Sequence, residues 1–196
     1  MRKYLMLFLL LLLCLSNLGC LGAEENTAKE QEAAKTDSVQ EQTEKVLPKL
    51  DVVNKPIKWT ENREALIRAY ANLHYGKDII DIVPQVVIVH WTVSNDAESV
   101  YQYFYSETMP DDGGGRLNVA SHYLVDRDGT IYQLTPETAL NRHAIGYNWC
   151  AVGIENVGGV NGREDLTEAQ VKANVAIIRY LQAKYPTIKY VWGHYQ

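Results

Sequence analysis

The residues able to do chemistry stand at the ends of apolar runs. Val86-Val87-Ile88-Val89 leads directly into His90-Trp91-Thr92. Four β-branched residues in succession mark a strand covered on both faces, because a half-exposed strand would alternate apolar with polar side chains. Open α/β sheets place their ligand crevice at the carboxyl end of such strands, so His90 is a candidate metal ligand at that rim. The competing reading is a core histidine satisfied by backbone groups. Glu155 interrupts a second apolar run, Val152-Gly153-Ile154-Glu155-Asn156-Val157-Gly158. A carboxylate there needs a cation, a hydrogen-bond network or a wet cleft to offset its desolvation. A general base beside a metal-activated water would meet that need, and an edge-strand acid facing solvent is the alternative. A second strand-end histidine, His194, follows the apolar stretch 188–192 and Gly193.

These residues need a sheet to bring them together, and the intervening sequence supplies its elements. Thr60 reads as the N-cap of a helix carrying Leu66, Ile67, Tyr70 and Leu73 and ending near Gly76. His74, in its last turn, is expected to serve the helix end or solvent. Ser94-Asn95-Asp96 can cap a helix over 97–108 with Val100, Tyr101, Phe104 and Tyr105 at helical spacing. The glycine-rich loop 111–115 lacks the context of a phosphate cradle and is expected to border the cleft. Stretches 119–125 and 130–134 flank Asp126-Arg127-Asp128-Gly129, the signature of a hairpin. His122, on its first strand, is expected to be structural. Cys150, without a ligand partner at metal-binding spacing, reads as a small buried hydrophobe. Thr167 and Gln170 form a capping box, Leu166 and Val171 a staple, and Val171, Val175, Ile178, Leu181 and Tyr185 the apolar face of a last helix before Pro186.

Composition bounds the partners and the compartment. The 196 residues carry 19 Lys and Arg against 24 Asp and Glu, a formal net charge of -5. No basic face for nucleic acid is visible. Arg2 and Lys3, an apolar run over 5–15 and Gly19-Cys20 follow the order of an export signal over residues 1–20, and the run is too short to span a membrane, which takes about 20 apolar residues. Asn17-Leu18-Gly19-Cys20 resembles a bacterial lipoprotein box, although Asn17 and Leu18 depart from the usual pattern. Cys20 is therefore a candidate lipid anchor, simple secretion is the alternative, and the expected location is the cell envelope. Residues 21–55, rich in Glu, Lys, Gln, Ala, Thr and Ser, read as a solvated tether, leaving 56–196 as the folded domain. Cys14 and Cys20 belong to the leader and only Cys150 remains, which argues against an intramolecular disulfide framework.

Several motifs in order, His90-Trp91-Thr92, Ser121-His122-Tyr123 before Arg127-Asp128-Gly129-Thr130, Arg142-His143-Ala144-Ile145-Gly146, Gly153-Ile154-Glu155 and Gly193-His194, resemble the type 2 N-acetylmuramoyl-L-alanine amidases. The resemblance runs from about Ile57 to the last residue. It implies an α/β fold, a central mixed β-sheet flanked by α-helices, and zinc-dependent cleavage of the amide between N-acetylmuramic acid and L-alanine in peptidoglycan. It implies His90 and His194 as zinc ligands and Glu155 as the acid that activates water. His143 would lie by the substrate groove and not on zinc, with Asn148 and Trp91 also binding the muropeptide. The family's third ligand, an aspartate or cysteine, and a catalytic lysine normally follow the second histidine, and the sequence stops before either. The expectation is therefore an amidase domain truncated at its carboxyl end, either an amino-terminal fragment of a longer protein or an inactive truncated form, and a monomer. A non-catalytic peptidoglycan-binding module is the rival.

Overall fold

A computed structural model of the chain describes residues 46–111 and 113–194. The expected signal at 1–20, the anchor at Cys20 and most of the tether lie outside the described residues. The domain is a six-stranded sheet in the order β1-β4-β3-β5-β2-β6: β1 (Val53–Asn54), β2 (Val86–Trp91), β3 (Tyr123–Val125), β4 (Ile131–Gln133), β5 (Ala151–Asn156) and β6 (Tyr190–Gly193). The β3–β4 hairpin is antiparallel and every other pairing is parallel, so the sheet is mixed. Three helices cover it: α1 (Glu61–Tyr75), α2 (Ala97–Tyr105) and α3 (Glu168–Lys184). Among the described residues no helix is long and apolar enough to cross a membrane.

Side-chain alternation along the strands divides the core into layers. Val87, Tyr123, Val125, Val152 and Ile154 meet Ala173, Ile177 and Leu181 of α3 on one face. Leu124 on the other face meets Val100 and Phe104 of α2, and Ile88 packs with Ala144 and Cys150. The β2 run is thus covered on both sides, as its unbroken apolar sequence requires. The helix ends follow from local chemistry. Thr60 caps α1 and Gly76 ends it in a left-handed conformation with φ of 62°. Asp96 caps α2, and Thr167 and Gln170 form the reciprocal capping box of α3. Asp126, Thr130 and Gly129 close the hairpin turn.

Four expectations change. The stretch read as tether extends into the fold, because Val53–Asn54 pairs with β4 and Leu50 packs on the core beneath α3. So short and exposed an edge strand has no periodicity to reveal it. The buried stripe of α3 is Gln170, Ala173, Asn174, Ile177 and Leu181, whereas Val171 and Val175 are exposed. The two inward polar residues serve the sheet: Gln170 donates to the Val125 and Val157 carbonyls, and Asn174 donates to Asn156. α2 stops at Tyr105, where the buried Arg63 guanidinium donates to the Phe104, Tyr105 and Ser106 carbonyls. The described residues of the glycine-rich loop lie against α1, with the Gly114 carbonyl 2.9 Å from His74 Nε2 and Gly115 facing Tyr70 and Leu73.

Candidate active site

Three parallel strands deliver side chains to one edge. In register, His90 stands beside Glu155 and Trp91 beside Asn156 across the β2–β5 pair, and Val89 stands beside Gly193 across β2–β6. His194, the next residue, therefore comes level with His90, and its backbone N–H donates to the Val89 carbonyl. Nδ1 of His90 lies 2.8 Å from Nδ1 of His194, although 104 positions separate them. The Asn156 amide donates to the His90 carbonyl at 3.2 Å and is itself held by Asn174, so the strand end carrying His90 is fixed from below.

His90 is buried, and burial, with smaller contributions from His194 and His122, pushes its pKa down to about 3. It is therefore neutral at physiological pH, the form in which imidazole binds metals. Among the described residues no close cation offsets the burial of Glu155, which pushes its carboxyl up to about 8. The side chain as a whole keeps some solvent contact, yet Oε2 is sealed off without a hydrogen-bond partner. A buried carboxylate oxygen left unpaired is costly, and a cationic or proton-donating group brought to it would relieve that cost.

The donor set bears on a metal directly. Two nitrogens bound to one tetrahedral zinc at ordinary lengths lie about 3.3 Å apart. The His90–His194 separation of 2.8 Å is half an ångström short of that, so the two nitrogens need only a small spread to share one ion. They fit as two ligands. Among the described residues no group of three or more His, Cys, Asp or Glu is arranged to hold a metal ion.

Three clefts converge on these residues. One, of about 460 Å³, runs over Ile88, Ala144, Ile145, Tyr147, Trp192 and His194. A second, of about 550 Å³, runs over His90, Trp91, Asn156, Leu166 and His194. A third, of about 320 Å³, is walled by Trp91, Ser99, Val100, Tyr103 and Phe104 and has Glu155 among its lining residues. Trp91 borders the second and third, as a side chain in a groove would, and packs where Gly158 and Gly159 leave it room.

The remaining sequence candidates divide. His143 Nδ1 lies 3.0 Å from His90 Nε2, so His143 stands behind the histidine pair. Asn148 is a correction. It is fully buried, its Oδ1 accepts from the His143 and Ala144 backbone N–H groups at 3.0 and 2.6 Å, and its Nδ2 donates to the Tyr70 hydroxyl at 2.9 Å. It shapes the loop that presents Ile145 and Tyr147 and has no polar atom left over for a ligand. His122 is structural, with Nε2 on the Ala139 carbonyl and Nδ1 accepting from the Gly153 N–H. Cys150 is a free, buried thiol in the core. Sequence reasoning missed Tyr147 and Trp192, whose rings meet edge to face at 5.0 Å and wall the first cleft. The exposure of Ile145 beside them, at 69%, is the kind of signal that only the fold provides.

Residues 81–196 match the protein family described as N-acetylmuramoyl-L-alanine amidase. The endolysin of Escherichia phage T7 is 35% identical over 75 residues, 36% of this chain and 50% of the endolysin. The chain thus spans about half the length of the curated relatives it matches. Two solved structures share the fold. The N-acetylmuramoyl-L-alanine amidase LysC from Clostridium intestinale URNW is 25% identical with a TM-score of 0.51, over 75% of this chain and 84% of that one. The endolysine LysCS from the same organism is 26% identical with a TM-score of 0.52, over 77% and 84%. Since the matched stretch takes in more than half of the chain and every strand-end residue described above, the protein belongs to the type 2 N-acetylmuramoyl-L-alanine amidase family.

Proposed function

We propose that the protein hydrolyses the amide between N-acetylmuramic acid and L-alanine in peptidoglycan, with zinc held by His90 and His194. The observation that carries this reading is the approach of the two strand-end imidazoles to 2.8 Å with Glu155 in register beside one of them. Bound zinc would supply Lewis acidity, polarising a carbonyl and acidifying water. The chain's own residues do the rest. The neutral His90 offers a lone pair without first losing a proton. Glu155 accepts the proton of the attacking water and returns it to the leaving amine, a role suited to a carboxyl poised near neutral pH. Trp91, Tyr147 and Trp192 line clefts on either side of the histidines, an arrangement suited to a substrate that extends both ways from the scissile bond. The leader motif supports export to the cell envelope and lipidation of Cys20, where the domain would act as a monomer on nearby wall material.

The test is digestion of purified peptidoglycan by the zinc-loaded full-length protein, read by mass spectrometry. Free stem peptides and peptide-free glycan are the expected products, and Glu155→Gln is expected to retain zinc and release neither. Disaccharides still bearing peptide would refute muramoyl amide cleavage. Binding to peptidoglycan with no release of either product would instead support a recognition module.

A further inference from the structure

We infer that His143 is a positioning residue, one that fixes His90 in the tautomer whose Nδ1 lone pair faces His194. The assignment starts from a backbone carbonyl. His143 Nε2 lies 3.2 Å from the Ala151 oxygen, and a carbonyl can only accept, so Nε2 carries the hydrogen. A neutral imidazole has one N–H, so Nδ1 of His143 is an acceptor. That nitrogen is 3.0 Å from Nε2 of His90, which must then be the donor. His90 is left with its lone pair on Nδ1, the nitrogen 2.8 Å from His194. The opposite tautomers would set a lone pair of His143 against the Ala151 oxygen and leave His90 presenting a hydrogen to the point where the two Nδ1 atoms meet.

The seat of His143 is built for this contact. The two rings stand perpendicular with centroids 5.1 Å apart, a separation compatible with an in-plane nitrogen of one meeting an in-plane nitrogen of the other. A Cβ at position 153 would come within 2.9 Å of Cγ and Nδ1 of His143, so Gly153 leaves the space that the ring fills. Asn148 holds the His143 backbone N–H, and hence the origin of the side chain. His122 cannot take over the task, because both of its nitrogens are engaged by the backbone. The role goes beyond the groove contact expected for His143. Its consequence for metal affinity rests on the zinc reading above, whereas the tautomer does not.

Two measurements on the full chain test it. In the metal-free protein labelled with 15N-histidine, a coupling across the hydrogen bond should link His90 Nε2 to His143 Nδ1, with the proton on His90. A proton on His143 Nδ1, or no coupling, would overturn the inference whatever the protein does with zinc. In chelator competition, His143→Leu should weaken zinc binding by about 10- to 100-fold, the usual effect of removing an outer partner of a metal-bound histidine. His143→Asn, whose amide oxygen can replace the Nδ1 acceptor, should restore affinity to near the wild-type value. Wild-type affinity in folded His143→Leu, or equal losses in both variants, would also overturn it. A wild-type protein that takes up no zinc would instead overturn the metal reading, and the 15N coupling would still decide His143.

Discussion

Replacing Glu155 with Gln should make the metal-free fold more stable, and by an amount that grows with pH. In the unfolded chain the carboxyl titrates near its ordinary 4.5, whereas burial pushes it up to about 8 in the fold. Between those values the folded protein keeps a proton that the unfolded chain has released. Wild-type stability therefore falls as pH climbs from about 4.5 to about 8 and levels off above that. At 1.36 kcal/mol per pH unit the full interval corresponds to a ceiling of about 5 kcal/mol. The side chain keeps some contact with water, and the glutamine amide brings polar atoms of its own that need partners. The expected gain is about 2 kcal/mol at pH 8, and near zero at pH 5. Urea unfolding of both proteins in the presence of a chelator, at pH 5 and pH 8, measures it. Groups other than residue 155 titrate alike in the two proteins and cancel from the difference. A gain that is the same at both pH values, or a variant less stable at pH 8, would refute the claim that this carboxylate is held at the expense of stability. The result would also show that the acid in this largely apolar strand serves something other than folding.

Three further outcomes follow from the geometry. Asn148→Ala leaves the His143 and Ala144 N–H groups and the Tyr70 hydroxyl without their partner, and should cost about 3 kcal/mol in urea unfolding. Glu137 is buried, and although burial alone would raise its pKa, the Tyr123 hydroxyl at 2.7 Å and the Lys184 ammonium at 3.2 Å help hold it below the ordinary carboxylate value. Its contribution is present above pH 4.5 and lost as pH falls through the lowered pKa. Glu137→Gln should therefore destabilise by about 2 kcal/mol at pH 7, a difference that vanishes in acid melts. Val93, just past the β2 edge, is 65% exposed with φ of 54°, a conformation that β-branched residues resist. Val93→Asn should raise stability by about 1 kcal/mol, read as a higher thermal midpoint.

The sequence by itself determined what depends on neighbours along the chain. The β-branched run before His90 specified a doubly covered strand, Thr60, Asp96 and the Thr167–Gln170 pair specified helix starts, and the Asp-Gly turn specified the β3–β4 hairpin. Each is a matter of local sterics and hydrogen bonding, readable within a few residues. An acid among apolar neighbours likewise singled out Glu155, because desolvation cost follows from residue type alone. Only the tertiary structure decided the rest. Which face of α3 is buried turned on Gln170 and Asn174 reaching the sheet, an attraction that a hydrophobic pattern counts as solvent exposure. Whether Asn148 met a ligand or stapled a loop turned on Tyr70, 78 positions away. The alignment of His90, Glu155 and His194 is a property of strand register across β5, β2 and β6, set by pairing between segments far apart in the chain. Side chains declare their chemistry locally, and only long-range pairing says which of them will meet.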